Sequence, residues 1–311
     1  METQIQKTTI VPISAFQRLD NGVALLPKTV SDSVSIENVQ GILDSKDFEL
    51  WHEYISAEDR KALAQVRIAL VNRFTSSGHM GEEEKRSEDL LHRYFVCLRI
   101  IKPTRSRYQA IQFKQLENGI DVFHVSGPHP TPLNLPDAEI LNDINNVDVT
   151  QLIQRIESFL AVEANGPFRV RRAIRLYETG YSEIRDPALQ FITWLMGVEA
   201  MVSEGEEITT PDAIKRIRDT IDLASPLYQE SPENAFISMP DIRLGDVLED
   251  AFSFRNRLVH GGWIPREWTE KPSRRGVVQS EVPYVEIVRE AASFLLRKLI
   301  LGYLTAPNSF N

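Results

Sequence analysis

The chain has 311 residues, 42 % of them apolar and 25 % charged, and a formal net charge of −9. That length supports one large or two medium domains with cores of their own. The composition is that of a globular protein rather than a disordered or fibrous one. The negative balance excludes a protein that coats nucleic acid through its whole surface, though not one with a local basic site. The single cysteine, Cys97, lies in the apolar stretch "HRYFVCLRII". It rules out an internal disulfide framework and a thiolate metal cluster, and reads as a buried thiol in a reducing compartment. The start, "METQIQKTTIVPI", has neither the basic end nor the apolar core of a signal peptide. Apolar runs near Trp194 and Leu299 are broken by Glu199 and by Arg297-Lys298 before reaching the roughly 18 residues of a membrane span. A cytoplasmic protein is expected.

Along the chain, "TTIVPISAF" and "GVALL" predict short strands separated by a turn at "DNG". A helix is expected from about Asp47 to Phe74, on the spacing of Leu63, Val66, Ile68, Leu70 and Val71. A second is expected from about Glu82 to Ile101, with acids in its first turn and Lys102-Pro103 at its end. "RYQAIQFKQLENGIDVFHVSG" alternates on both sides of Asn118-Gly119, a type I′ hairpin signal. The proline-rich "SGPHPTPLNLPD", Ser126 to Asp137, is the best linker in the chain. It divides a mixed α/β domain, 1–135, from a helical domain, 136–311.

In the second domain helices are expected at about 137–145, 149–163, 167–184, 187–204, 211–226, 242–260 and 282–305. Asp186-Pro187 and Thr210-Pro211-Asp212 are start signals, and Gly261-Gly262 is a stop. The last helix is apolar around most of its circumference from Phe294 on, so it belongs in the core or at a subunit contact. The fold class is therefore mainly α: a helical bundle preceded by a smaller α/β domain.

Arginine followed after four to six residues by histidine is a weak pattern, and it occurs three times. Arg73 to His79 crosses "FTSSG", which reads as a loop. Arg86 to His92 encloses "SEDLL", whose two acids repel a phosphate. Arg255 to His260, in "EDAFSFRNRLVHGG", differs. Asn256 and His260 are four apart and share a helix face. Arg255 lies about 140° round the helix from His260, within reach of a long side chain. The glycines place His260 at the helix carboxyl end, where a cation is favoured. Histidine there suits general acid–base work, arginine clamps phosphate, and asparagine can orient the imidazole or donate to a phosphate oxygen. Cleavage of RNA by its own 2′-OH needs these parts and no metal. One histidine cannot be both acid and base in one step, so two copies across a two-fold axis are expected. The same residues also suit an ordinary helix end with surface ion pairs.

The Arg-Asn-x-x-x-His pattern near the end of the penultimate helix of an α-bundle resembles the HEPN superfamily, nearest to its ApeA-like group. "ALQFITWLMGVEAMVSEG" is similar to the family's second core helix, with Glu199 in an apolar run, and "LGDVLEDAFSFRNRLVHGG" to its motif helix. The resemblance covers roughly 150–311. It implies a homodimer with a composite cleft and metal-independent RNA cleavage, often in antiviral defence or toxin systems. Arg255, Asn256 and His260 become the catalytic set. A tyrosine that some members carry two residues after the histidine is here Gly262. No catalytic constellation occurs in the first domain, which is expected to sense a trigger, a protein or a phage-derived molecule, or to choose the substrate. The rival reading is a non-catalytic module that dimerises or binds RNA.

Glu199, a carboxylate in an apolar stretch, is expected to pair with Arg255 or Arg257, or to form a salt bridge elsewhere. Arg169, Arg172 and Arg175, with Arg171, form a basic run that suits RNA backbone or a solvated face. Arg274 and Arg275 in "KPSRRG" are a similar case. His124 and His129 lack acidic or thiol neighbours at ligand spacing, and neither metal nor cofactor is expected. Trp263 and Trp268 suit either base stacking or packing.

Overall fold

A computed structural model describes residues 5–14, 27–39, 42, 68–76, 81–102, 110–116, 119–126, 144, 146–184, 186–203, 208–221, 244–262, 266–269, 273–275, 278–280 and 284–307. The chain divides into two compact units, Met1–Leu160 and Ala161–Asn311. The stretch 127–137 and the helix expected at 137–145 lie outside the described residues, apart from Ile144, which is not helical.

The first unit is built on an antiparallel sheet. Its strands are β1 (Ile5–Ser14), β2 (Lys28–Thr29), β3 (Val34–Asn38), β4 (Ile68–Ser76), β5 (Ala110–Leu116) and β6 (Gly119–Ser126), in the order β2-β3-β4-β1-β5-β6. β1 is central, pairing Ile10 with Val71 of β4 and with Ile111 of β5. Strand alternation sends Ile10, Val71, Ile111 and Phe113 into one apolar cluster with Val122. The intervening Lys7 and Thr9 point to the face covered by α1 (Glu82–Ile101), which packs on β4 and β1.

One expectation fails here, and the expected hairpin is present with its turn shifted by one residue. Residues 68–74 are strand, not the end of a helix, and 47–67 lie outside the described residues. "IALV" is a continuous apolar run, and such a run fits a buried strand flanked by two others as well as a helix. The hairpin pairs Leu116 with Gly119, so the connection is 117–118 rather than 118–119, and Gly119 opens β6 with φ +148°.

Between α1 and the sheet lies a buried polar network. The Lys7 ammonium pairs with the Glu84 carboxylate and donates to Ser76 Oγ at 3.2 Å. Ser76 Oγ donates to Glu84 Oε1 at 2.8 Å, and the Gly81 backbone N–H donates to Glu84 Oε2 at 2.9 Å. Gln112 reaches the Glu84 carbonyl at 2.9 Å, and Ser87 reaches Thr9 at 2.7 Å. Burial works against the charged carboxylate. The hydrogen bonds from Lys7, Ser76 and Gly81 outweigh it and hold the Glu84 carboxyl at about 2.

α2 (Asn146–Asn165) crosses the division between the units. The second unit is helical: α3 (Phe168–Ser182), α4 (Pro187–Val202), α5 (Thr210–Thr220), α6 (Leu244–Val259), α7 (Arg266–Thr269) and α8 (Tyr284–Thr305). A hairpin of β7 (Ser273–Arg275) and β8 (Val278–Ser280), which the residue pattern does not announce, packs through β7 on α7 and α8. Asp186 caps α4 by accepting from Ala188 and Leu189 N–H at 2.8 and 2.9 Å. The cap of α5 is Thr209 rather than Thr210; it accepts from Asp212 N–H at 3.4 Å.

α8 is the hub, packed against α4, α6 and α3. It is buried along most of its length yet carries two buried arginines, Arg289 and Arg297. Arg289 meets Glu286 at 2.7 Å, and Arg297 lies over the Phe294 ring at 5.2 Å.

Helix α3 meets α4 through a glycine. A Cβ on Gly180 would stand 2.2 Å from Trp194 Nε1, whose N–H donates to the Tyr177 carbonyl at 3.2 Å. Gly180→Ala gains about 1 kcal/mol of helix propensity. The rigid indole cannot yield in a packed core, so a net loss of about 1–3 kcal/mol is expected. Urea melts of the variant that match the parent would contradict this.

Candidate active site

Helix α6 carries the Arg-Asn-x-x-x-His residues, and its end is set by backbone geometry. Gly261 stands at φ +68°, the left-handed conformation that glycine adopts freely. Gly262 N–H donates to the Arg257 carbonyl at 2.7 Å, and Gly261 N–H to the Leu258 carbonyl at 3.3 Å. This pair of bonds is a Schellman motif, and it makes His260 the capping residue. The His260 side chain is exposed. Among the described residues no side chain hydrogen-bonds to its imidazole. A Cβ on Gly261 would meet nothing within 4 Å, so the cost of Gly261→Ala is purely conformational. A loss of about 1 kcal/mol is expected from thermal unfolding.

Arg255 is half-buried and held from two sides. Its Nη1 donates to Asn256 Oδ1 at 2.9 Å, and its Nη2 to Glu199 Oε2 at 3.1 Å. Its Nε is buried and has no hydrogen-bond partner among the described residues. A guanidinium only donates, so Asn256 must present its oxygen to Arg255, leaving its NH2 group as a donor. The asparagine oxygen is thus committed to the arginine and does not orient the imidazole. Between Asn256 and His260 the helix hydrogen bond runs from His260 N–H to the Asn256 carbonyl, at 3.1 Å.

Glu199 comes from α4, which packs on α6, with Phe191 and Phe254 rings 4.8 Å apart. Burial pushes the Glu199 carboxyl above its ordinary value, and the Arg255 cation opposes the shift. Arg257 is exposed and lies outside the Arg255–Glu199 pair.

The remaining sequence candidates lie elsewhere. Arg169, Arg172 and Arg175 are on α3, which packs on α4 and α8 rather than chiefly on α6. Arg274 and Arg275 are on β7. Trp263 lies outside the described residues. Arg73 is in β4 and pairs with Glu37 at 2.6 Å, and Arg86 on α1 pairs with Glu82 at 2.8 Å. Among the described residues no group of three His, Cys, Asp or Glu side chains is arranged to hold a metal, and no helix is long and apolar enough to cross a membrane.

These features define a mainly α protein with an antiparallel sheet in its first unit, and a polar cluster at the end of α6. No family model, curated protein or solved structure matches the chain.

Proposed function

We propose that the second unit is a HEPN-type, metal-independent endoribonuclease acting as a homodimer, in a defence or stress response. The observation that supports this reading is the held Arg255. Asn256 and Glu199 fix its fork beside the helix end that presents the exposed His260. Preorganised donors of this kind stabilise charge that develops on a phosphate in the transition state. His260 takes the 2′-OH proton in one subunit, and its mate in the other protonates the departing 5′-oxygen. Arg255 contacts the non-bridging oxygens, and Glu199 acts as a positioning residue through it. The first unit senses the trigger, a protein or a phage-derived molecule.

The chemistry predicts its own end groups. RNA incubated with the protein in excess EDTA is expected to yield a 2′,3′-cyclic phosphate and a 5′-OH. Cleavage that needs a divalent ion, or that leaves a 5′-phosphate, rules the mechanism out.

One observation favours the second reading, a non-catalytic dimerisation or RNA-binding module. The charge of Arg255 is already matched by Glu199 inside the chain, as in a structural ion pair.

A further inference from the structure

Helix α3 opens with "FRVRRAIR". Phe168, Arg171, Arg172 and Arg175 follow the i, i+3, i+4, i+7 spacing and form one stripe, about 10 Å long. Phe168 is 71 % exposed, and the three arginines are exposed as well. Arg169 interacts within the chain, but among the described residues Arg171, Arg172 and Arg175 make no ion pair.

That is unusual in a chain with 44 acids and 35 bases. Three exposed arginines elsewhere find carboxylates: Arg73 with Glu37, Arg86 with Glu82 and Arg218 with Glu249. On α3 no acid occupies the first turn, and the first acid along the helix, Glu178, is buried. The arrangement opposes folding in two ways. Arginines three and four apart repel one another. Arg171 also stands in the first turn, at the amino end of the helix, where its dipole disfavours cations. Among the described residues nothing compensates this local conflict, and such a conflict marks a surface kept for a ligand. Such a surface suits a polyanion, and the largely exposed ring of Phe168 at one end of the stripe asks for a flat apolar face beside the charges.

We propose that this stripe binds single-stranded RNA, with Phe168 stacked on a base and Arg171, Arg172 and Arg175 on the neighbouring phosphates. A duplex keeps its bases stacked and offers the ring nothing. RNA rather than DNA follows from the reading of the α6 site given above, on which that part of the inference rests.

The test is fluorescence anisotropy with a labelled oligouridine, in EDTA, on the full chain carrying His260→Ala so that the probe survives. Arg171→Glu/Arg172→Glu/Arg175→Glu is expected to weaken binding at least about 10-fold and to flatten the log–log salt slope by about 2. Phe168→Ala should weaken it about 10-fold with the slope unchanged. The proposal is overturned if the starting protein does not bind the oligouridine, or if the triple variant binds as tightly. It is equally overturned if Phe168→Ala has no effect, or if vesicles of phosphatidylserine bind more tightly than RNA. The two readings fail separately. A parent that never cleaves RNA, but whose binding depends on the stripe, sinks the nuclease alone. Intact cleavage with binding indifferent to the stripe sinks the stripe alone.

Discussion

His260→Ala is expected to lower RNA cleavage by about 10²- to 10⁴-fold, the usual contribution of a general acid–base group. The same change should leave stability within about 0.5 kcal/mol, because the imidazole is exposed and the helix end is built from backbone bonds of Gly261 and Gly262. This separation makes His260 a better probe than Arg255. Removing Arg255 leaves Glu199 half-buried without its cation, so lost activity would be entangled with lost stability. Parallel measurement of cleavage, urea unfolding and sedimentation on the His260 variant decides the matter. Full activity in a folded variant ends the catalytic reading.

Glu84→Ala should cost the first unit about 3–5 kcal/mol, because it strands the buried ammonium of Lys7 without its carboxylate. Lys7→Met/Glu84→Leu, which removes both charges and keeps the volume, should recover most of that loss. The pH dependence is set by sign. The Glu84 carboxyl falls from 4.5 to about 2 on folding, so its contribution, about 3 kcal/mol, is complete above 4.5 and lost as pH falls from 4.5 to about 2. The stability gap between the parent and Glu84→Ala should therefore narrow across that window. A gap that stays constant from pH 6 to pH 2 contradicts the assigned pair. Glu199 works in the opposite sense. Its raised carboxyl favours folding below the ordinary value, and that gain is lost as pH rises through the raised one.

The long helices are legible in the chain because their signals are local, whereas the four-residue α7 is not among those expected. α1 spans Glu82–Ile101, as its acidic first turn and Lys102-Pro103 indicate, and Asp186 and Gly261-Gly262 bound α4 and α6. β4 was misread because an apolar "IALV" has no period that separates a buried strand from a buried helix, and only pairing with β1 and β3 on both sides selects the strand. The short strands β2, β7 and β8 carry too few residues to show alternation, whereas β3, "VSIEN", does alternate, with Val34 and Ile36 buried.

The candidate site divides along the same line. Arg255, Asn256 and His260 are visible as a motif because they lie within one and a half turns of helix. Which partner Glu199 takes, Arg255, Arg257 or a group elsewhere, is open in the sequence, since Arg255 lies 56 positions from it and is reached only through the packing of α4 on α6. Lys7 and Glu84, 77 positions apart, gave no sequence signal at all. The register of β1 against β4 and the seat of α1 on the sheet bring them together. Helix periods and glycine stops arise from neighbours along the chain, so composition and spacing carry them. Pairing of desolvated charges depends on which distant surfaces meet, and that is settled only when the sheet and the bundle close around them.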